Sequence, residues 1–216
     1  SFEENTPLRQ DLQAGRVEEM DEAEQEACWR HAISAAAKAG LEHYEISNFA
    51  RPGRQCRHNL TYWHNMPYIG LGPGAASYFG GVRRMNDPDL TAYVIALLSG
   101  QAAPASQEQL TGRSAMAETV MLALRLTQGL DLQAFEDRYG QDVRQVLGRS
   151  ISRHIQTGGL EVHACHLRIP ASAMFVSNEI LVDILAEASP PQHVTRLPSC
   201  HTRANSNSAW GWHESI

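Results

Sequence analysis

A chain of 216 residues, 43% hydrophobic and 19% charged, can bury one ordinary core, or a partial core beside a small second domain, and reads as soluble and globular. Its formal net charge of −6 argues against a non-specific nucleic-acid binder, which needs a basic excess to neutralise phosphates. No apolar run approaches the roughly 20 residues that a membrane-spanning helix requires; even residues 180–186 are interrupted by Asp183.

Residues 2–19 read as a loop or short helical turn, because Thr6-Pro7 and Gly15 interrupt any period. The sequence begins with Ser1 and an acidic amphipathic segment rather than a signal peptide, as expected of the interior of a longer gene product or of a trimmed one. A helix is predicted over residues 21–39. Asp21 and Glu24 have the spacing of a capping box, Ala23, Ala27, Ile33 and Ala37 form a small-residue stripe, and Lys38 and Gly40 mark the stop. A strand follows, ending near Ser47, where Tyr44 and Ile46 alternate with His43, Glu45 and Ser47 before Pro52-Gly53 breaks the chain. Helix then strand is a β/α rhythm.

Residues 44–78 then crowd a basic Cys/His segment, clustered aromatics and alternating glycines into one connection, which reads as an exposed functional loop. Gly70, Gly72, Gly74, Gly80 and Gly81 permit close backbone approach to a flat cofactor or to a neighbouring strand. Their spacing is not GxGxxG, so no dinucleotide site is read here. Arg51, Arg54, Arg57, Arg83 and Arg84 gather around this stretch while acids crowd the first 26 residues; the pattern suits either an anionic ligand or a solvated basic loop.

A helix is expected over residues 87–99, with Leu90, Tyr93, Val94, Leu97 and Leu98 on one broad face and Gly100 as its end, followed by a linker at residues 101–106. Beyond it the pattern gives a helix over residues 113–127 and a short helix capped by Asp131 with Leu132, Phe135 and Tyr139. A third helix over residues 142–156 turns Val143, Val146, Leu147, Ile151 and Ile155 inward. Gly158-Gly159 introduces a hairpin in which Leu160, Val162 and Ala164 alternate before Leu167 and Ile169, and a helix over residues 177–187 closes the unit. From residue 188 onward no period remains, and a disordered or atypical tail is expected.

Three linked segments, YEISNFARPG, HNLTYW and GLGPGAASYF, resemble in order the signature block of the HemW family. These are haem-binding relatives of oxygen-independent coproporphyrinogen III oxidase among the radical SAM proteins. The resemblance runs from about residue 2 to about residue 187. It implies an α/β fold: the last β/α unit of an incomplete radical SAM, TIM-like barrel over residues 1–100, then a mainly helical, winged-helix-like domain over residues 101–187. Residues 188–216 lie outside it. Many relatives carry GAH where this chain has Gly74, Ala75 and Ala76, so any role of that histidine is missing or displaced.

Haem iron takes an imidazole, thiolate, thioether or phenolate, and its macrocycle takes apolar and aromatic walls with cations near the propionates. His58, Tyr62 and Trp63, with Cys56 and Arg57 adjoining, supply these types within eight positions; the resemblance favours His58 as the axial ligand to the iron, with His64 and Cys56 as open alternatives, and implies Asn59 among the haem-binding residues. In related coproporphyrinogen dehydrogenases the Phe-Ala-x-Pro turn touches S-adenosylmethionine, which implies a backbone contact from Ala50. The full-length family carries a [4Fe–4S] cluster and S-adenosylmethionine. The four cysteines here, Cys28, Cys56, Cys165 and Cys200, contain no CxxxCxxC spacing and no CxxC pair, so the cluster ligands are absent and no catalytic residue is assigned. The same cysteine usage is a poor disulfide framework and predicts a cytoplasmic protein. His154, His163, Cys165 and His166 form a second cluster, for which zinc is geometrically conceivable if residues 163 and 165 share a strand face.

The expected function is haem binding and delivery to an acceptor protein. The alternatives are oxidative decarboxylation of coproporphyrinogen III by a full-length radical SAM enzyme of porphyrin biosynthesis, and a winged-helix interaction module without a ligand. DNA binding is disfavoured because residues 142–156 are not notably basic.

Overall fold

A computed structural model describes residues 6–188; the predicted tail beyond residue 188 lies outside them. The described residues begin with a short helix, α1 (Pro7–Gln13), where a loop or a short helical turn was expected. Thr6 caps it and Pro7 occupies its first turn, where the missing N–H costs nothing. Helix α2 (Glu22–Lys38) has the expected capping box, with Asp21 accepting from the Glu24 N–H at 2.8 Å and Glu24 accepting from the Asp21 N–H. Its packing face differs from the expected alanine stripe. Ala23, Ala27 and Ala37 are exposed, and the partly covered residues are Glu26, Trp29, Ile33 and Ala36. The indole decides this, because Trp29 packs edge-on to His43 at 5.8 Å and against Phe175 at 6.0 Å, burying more area than alanines can.

The strand expected to end at Ser47 is shorter and ends earlier. Strand β1 (Glu42–His43) pairs antiparallel with β2 (Phe49–Ala50), and residues 44–48 form the connection between them. Their backbone groups are used elsewhere: the Ile46 N–H donates to Arg125 O at 2.9 Å, the Thr127 N–H donates to Tyr44 O at 3.1 Å, and Glu45 bridges Leu126. The alternation of Tyr44 and Ile46 therefore reflects docking onto residues 125–127 rather than membership of a long strand.

HNLTYW is not a loop. It forms helix α3 (Arg57–Trp63), which ends at His64 as Asn65 turns into the left-handed region at φ 49°. The glycine-rich stretch then builds a sheet that periodicity did not predict. Strands β3 (Ala76–Phe79) and β4 (Val82–Asn86) form a hairpin through Gly80-Gly81, both at positive φ, and β4 also pairs with β5 (Ala105–Gln109). Strand β5 takes up the end of the expected linker. Of the two readings of the glycines, approach to a neighbouring backbone is the one realised at Gly70: a Cβ there would lie 2.1 Å from Ala76 O. Helix α4 (Leu90–Leu98) is capped by Asp89 and sits where expected, but Leu90, Val94, Leu97 and Leu98 are exposed. Tyr93 is half-buried and accepts from the Gly72 N–H through its hydroxyl.

The core lies in the C-terminal half. Helix α5 (Gly112–Ala123) contributes Ala117, Val120 and Ala123, with Leu124 just beyond. The helix stops short of the expected Thr127 because residues 125–127 are drawn into hydrogen bonds with residues 44–46. Strand β6 (Leu130–Asp131) leads into α6 (Leu132–Tyr139), capped by Asp131 as expected and closed by Gly140 at φ 65°. The third expected helix is split at Leu147 (φ −126°) into α7 (Val143–Val146) and α8 (Gly148–Thr157). Val143, Val146, Leu147 and Ile151 are buried, whereas Ile155, expected inward, is 41% exposed. Strands β7 (Glu161–His163) and β8 (His166–Arg168) turn through Ala164-Cys165, both at positive φ, and β8 pairs with β6. Helix α9 (Ser177–Ala188) closes the core through Ile180, Leu181 and Ile184.

Candidate functional site

Helix α3 arranges the four motif residues as two i, i+4 pairs, His58 with Tyr62 and Asn59 with Trp63, on adjacent stripes. In the first pair the Tyr62 hydroxyl lies 3.0 Å from His58 Nε2, and the rings meet edge-on at 4.7 Å and 85°. His58 is exposed and Tyr62 half-buried. Tyr62 in turn meets Tyr68 edge-on at 4.5 Å, and Tyr68 is locked to the buried Tyr78 by two backbone hydrogen bonds of 2.8 and 2.9 Å.

Burial pushes the Tyr68 phenol up, against the pull of the nearby Arg83 guanidinium. Burial also works against the Arg83 charge, but its ion pair with Glu118 on α5 outweighs that cost and holds the guanidinium protonated. Trp63, in the second pair, is half-buried with the Arg125 guanidinium 5.3 Å from its ring centroid, a cation–π contact. Its Nε1 is buried without a hydrogen-bond partner among the described residues.

The helix is held to the C-terminal core at its end. The buried Asn65 donates through its amide to Thr119 Oγ1 at 2.9 Å, and Thr119 meets the Tyr139 hydroxyl at 2.7 Å. The Arg138 guanidinium donates to Asn65 O at 3.1 Å. Sequence reasoning missed Asn65, Tyr68 and Arg125, and singled out Arg83 only as one of a group of basic residues, without its Glu118 partner. Only Asn65 left a local signal, as a residue that tolerates the left-handed region directly after a helical run.

His64 is the C-cap of α3, and burial lowers its pKa. Six residues beyond His58 it is turned by roughly 240° around the helix, so the two imidazoles do not share a face. Cys56 is the N-cap, an exposed free thiol. Ala50 is buried at the end of β2, opposite Glu42.

The expected sharing of a face by His163 and Cys165 does not occur, because Cys165 is in the hairpin turn. His163 instead opposes His166 across the strands, and His154 Nε2 lies 2.9 Å from Asp183 Oδ2. Among the described residues no group of three or more His, Cys, Asp or Glu side chains comes together to hold a metal ion. Cys28, Cys56 and Cys165 lie on α2, at the start of α3 and in the hairpin turn, which does not suit a [4Fe–4S] cluster. The residue types on α3 and beside it in the chain are those a porphyrin takes: an exposed imidazole, two tyrosines meeting edge-on, the exposed Ile69 (74%) and Leu71 (88%), and the exposed cations Arg51, Arg54 and Arg57.

Comparison with known proteins defines the class first. The family profile described as the HemN C-terminal domain matches residues 110–176. Coproporphyrinogen III oxidase (HemN) from Escherichia coli, a radical SAM enzyme, is similar in structure with a TM-score of 0.56 at 16% identity, over 72% of this chain and 39% of the enzyme. The chain thus has a mixed helix-and-sheet fold of the HemN type.

In sequence it is similar to the proteins named heme chaperone HemW, as the three linked motifs imply. The HemW of Synechocystis sp. is 44% identical over 104 residues, which is 47% of this chain and 25% of the relative. That of Bacillus subtilis is 26% identical over 176 residues, 82% of this chain and 46% of the relative. The chain spans less than half the length of these relatives. No helix among the described residues is long and apolar enough to cross a membrane.

Proposed function

We propose that this chain carries the haem-binding portion of a HemW-like haem chaperone that acts in the cytoplasm and passes haem to an acceptor protein. The observation that carries the reading is α3: one short helix presents an exposed imidazole, His58, backed by Tyr62 and flanked by the cation-covered Trp63. His58 is the axial ligand to the iron, Tyr62 and Trp63 are aromatic walls, Asn59 is a polar neighbour, and the arginines of residues 51–57 attract the propionates. The unit expected over residues 1–100 is read as the last part of a radical SAM barrel, and its described residues hold the site. Residues 101–187 form the winged-helix-like domain that anchors it, with β5 joining the first unit's sheet.

The second reading is coproporphyrinogen III oxidation by a full-length protein with a [4Fe–4S] cluster and S-adenosylmethionine, the latter touching the Ala50 backbone. The structural likeness to the oxidase favours it; the heme chaperone name of the more similar sequences favours the first.

Haemin titration of the purified chain tests the proposal. A saturable Soret shift is expected, altered or weakened by His58→Ala because an axial ligand is lost. Trp63→Ala should weaken binding while leaving the coordination spectrum, and His64→Ala and Cys56→Ala should bind as wild type. A His58→Ala spectrum and affinity identical to wild type would refute His58 as the ligand.

A further inference from the structure

The His58 imidazole is not free in the structure, because its Nε2 is engaged by the Tyr62 hydroxyl at 3.0 Å. An imidazole nitrogen offers one lone pair or one hydrogen, so an Nε2 bonded to a phenol cannot at the same time bind iron. The phenol is not a loose neighbour. Its ring is wedged edge-on between His58 and Tyr68, and Tyr68 is fixed by its backbone pair with Tyr78 on β3. The hydroxyl is therefore presented to Nε2 from an anchored platform.

We infer that the Tyr62 hydroxyl is a built-in competitor for the His58 Nε2. Iron takes the nitrogen only when the hydrogen bond opens, and once the iron leaves, the returning hydroxyl recaptures the nitrogen and holds back rebinding. The inference rests on the proposed haem site and adds to it a release device, which suits a protein that must give up its cargo. When iron binds, the Nε2 lone pair passes from the Tyr62 O–H to the metal, and the hydroxyl is left to water. No proton needs to leave if Nδ1 carries the ring hydrogen; if Nε2 carries it, the ring first changes tautomer.

Tyr62→Phe keeps the ring and removes the competitor. Transfer of haemin from the full chain to apomyoglobin should slow by about two- to five-fold, and the Kd should fall by about the same factor, the range expected for loss of one exposed competing hydrogen bond. In a His58→Ala background the substitution should change neither quantity. A readout free of haem accompanies these. The 15N resonance of His58 Nε2 should report a hydrogen-bonded nitrogen in the wild type and shift in Tyr62→Phe, and diamagnetic zinc protoporphyrin should remove the bonded signal from the wild type.

Should Tyr62→Phe not fold, this wild-type spectrum decides alone: a bonded signal that persists under saturating porphyrin overturns the inference. Unchanged or faster haem release in folded Tyr62→Phe, with His58→Ala still losing the Soret shift, also overturns it and leaves the haem site standing. Unaltered binding by His58→Ala removes the haem site itself.

Discussion

Replacing Asn65 separates the two ways in which the helix carrying HNLTYW is tied to the core. Asn65 is 4% exposed and sits at φ 49°. Its amide donates to Thr119 Oγ1 at 2.9 Å, and Thr119 keeps Ala115 O and the Tyr139 hydroxyl as partners if the amide goes. Losing that bond therefore costs about 1 kcal/mol, and holding an alanine in the left-handed region costs about 1 kcal/mol more. Asn65→Gly removes the bond but accepts the backbone, so it should cost about 1 kcal/mol; Asn65→Ala should cost about 2 kcal/mol. For a chain of this size each kcal/mol lowers Tm by roughly 2–4 °C, giving about 2–4 °C for Gly and about 4–8 °C for Ala. Differential scanning calorimetry reads both, and haemin titration reads whether α3 has lost its seat. If Gly is as harmful as Ala, the backbone argument is wrong; if both melt like wild type, the Asn65–Thr119 contact does not hold the helix.

Gly129→Ala should destabilise by roughly 3 kcal/mol or more, because φ is +81° and the new Cβ would fall 2.2 Å from Leu167 O, opening the β6–β8 pair; urea unfolding checks it, and a midpoint within error of wild type would contradict it. Glu187 provides a pH test. Burial pushes its carboxyl up, but hydrogen bonds from the Ser150 hydroxyl and N–H and from the Arg149 N–H outweigh this and hold it below the ordinary glutamate range. Its pKa is depressed in the folded state, so its contribution is complete above the unfolded value, about 4.3, and is lost as pH falls through the folded value. Glu187→Gln should flatten the acid limb of the Tm–pH curve while leaving its slope above pH 6 unchanged.

What the sequence determined by itself were features set by neighbours a few residues apart. Asp21 and Glu24 cap α2, Asp131 caps α6, and the glycines at 100, 129, 140 and 158 end or turn elements at positive φ. The heptad-like positions 116–124, 143–151 and 180–184 give the core for the same reason, since one buried stripe is legible as a period.

Tertiary structure alone decided the rest of the site. HNLTYW has too few apolar residues for a helical period to stand out, and it is helical because Asn65 locks its end to Thr119 and Arg125 covers Trp63, partners more than 50 residues away. Tyr44 and Ile46 alternate like a strand but are claimed by residues 125–127; β3 and β4 form a local hairpin at Gly80-Gly81, whereas the addition of β5 joins Asn86 to Ala105 and Val82 to Gln109, a pairing that no local pattern encodes. The contact between His58 and Tyr62 lies between these extremes. Their i, i+4 spacing is written in the sequence, but it brings the rings together only because residues elsewhere in the chain make that segment a helix.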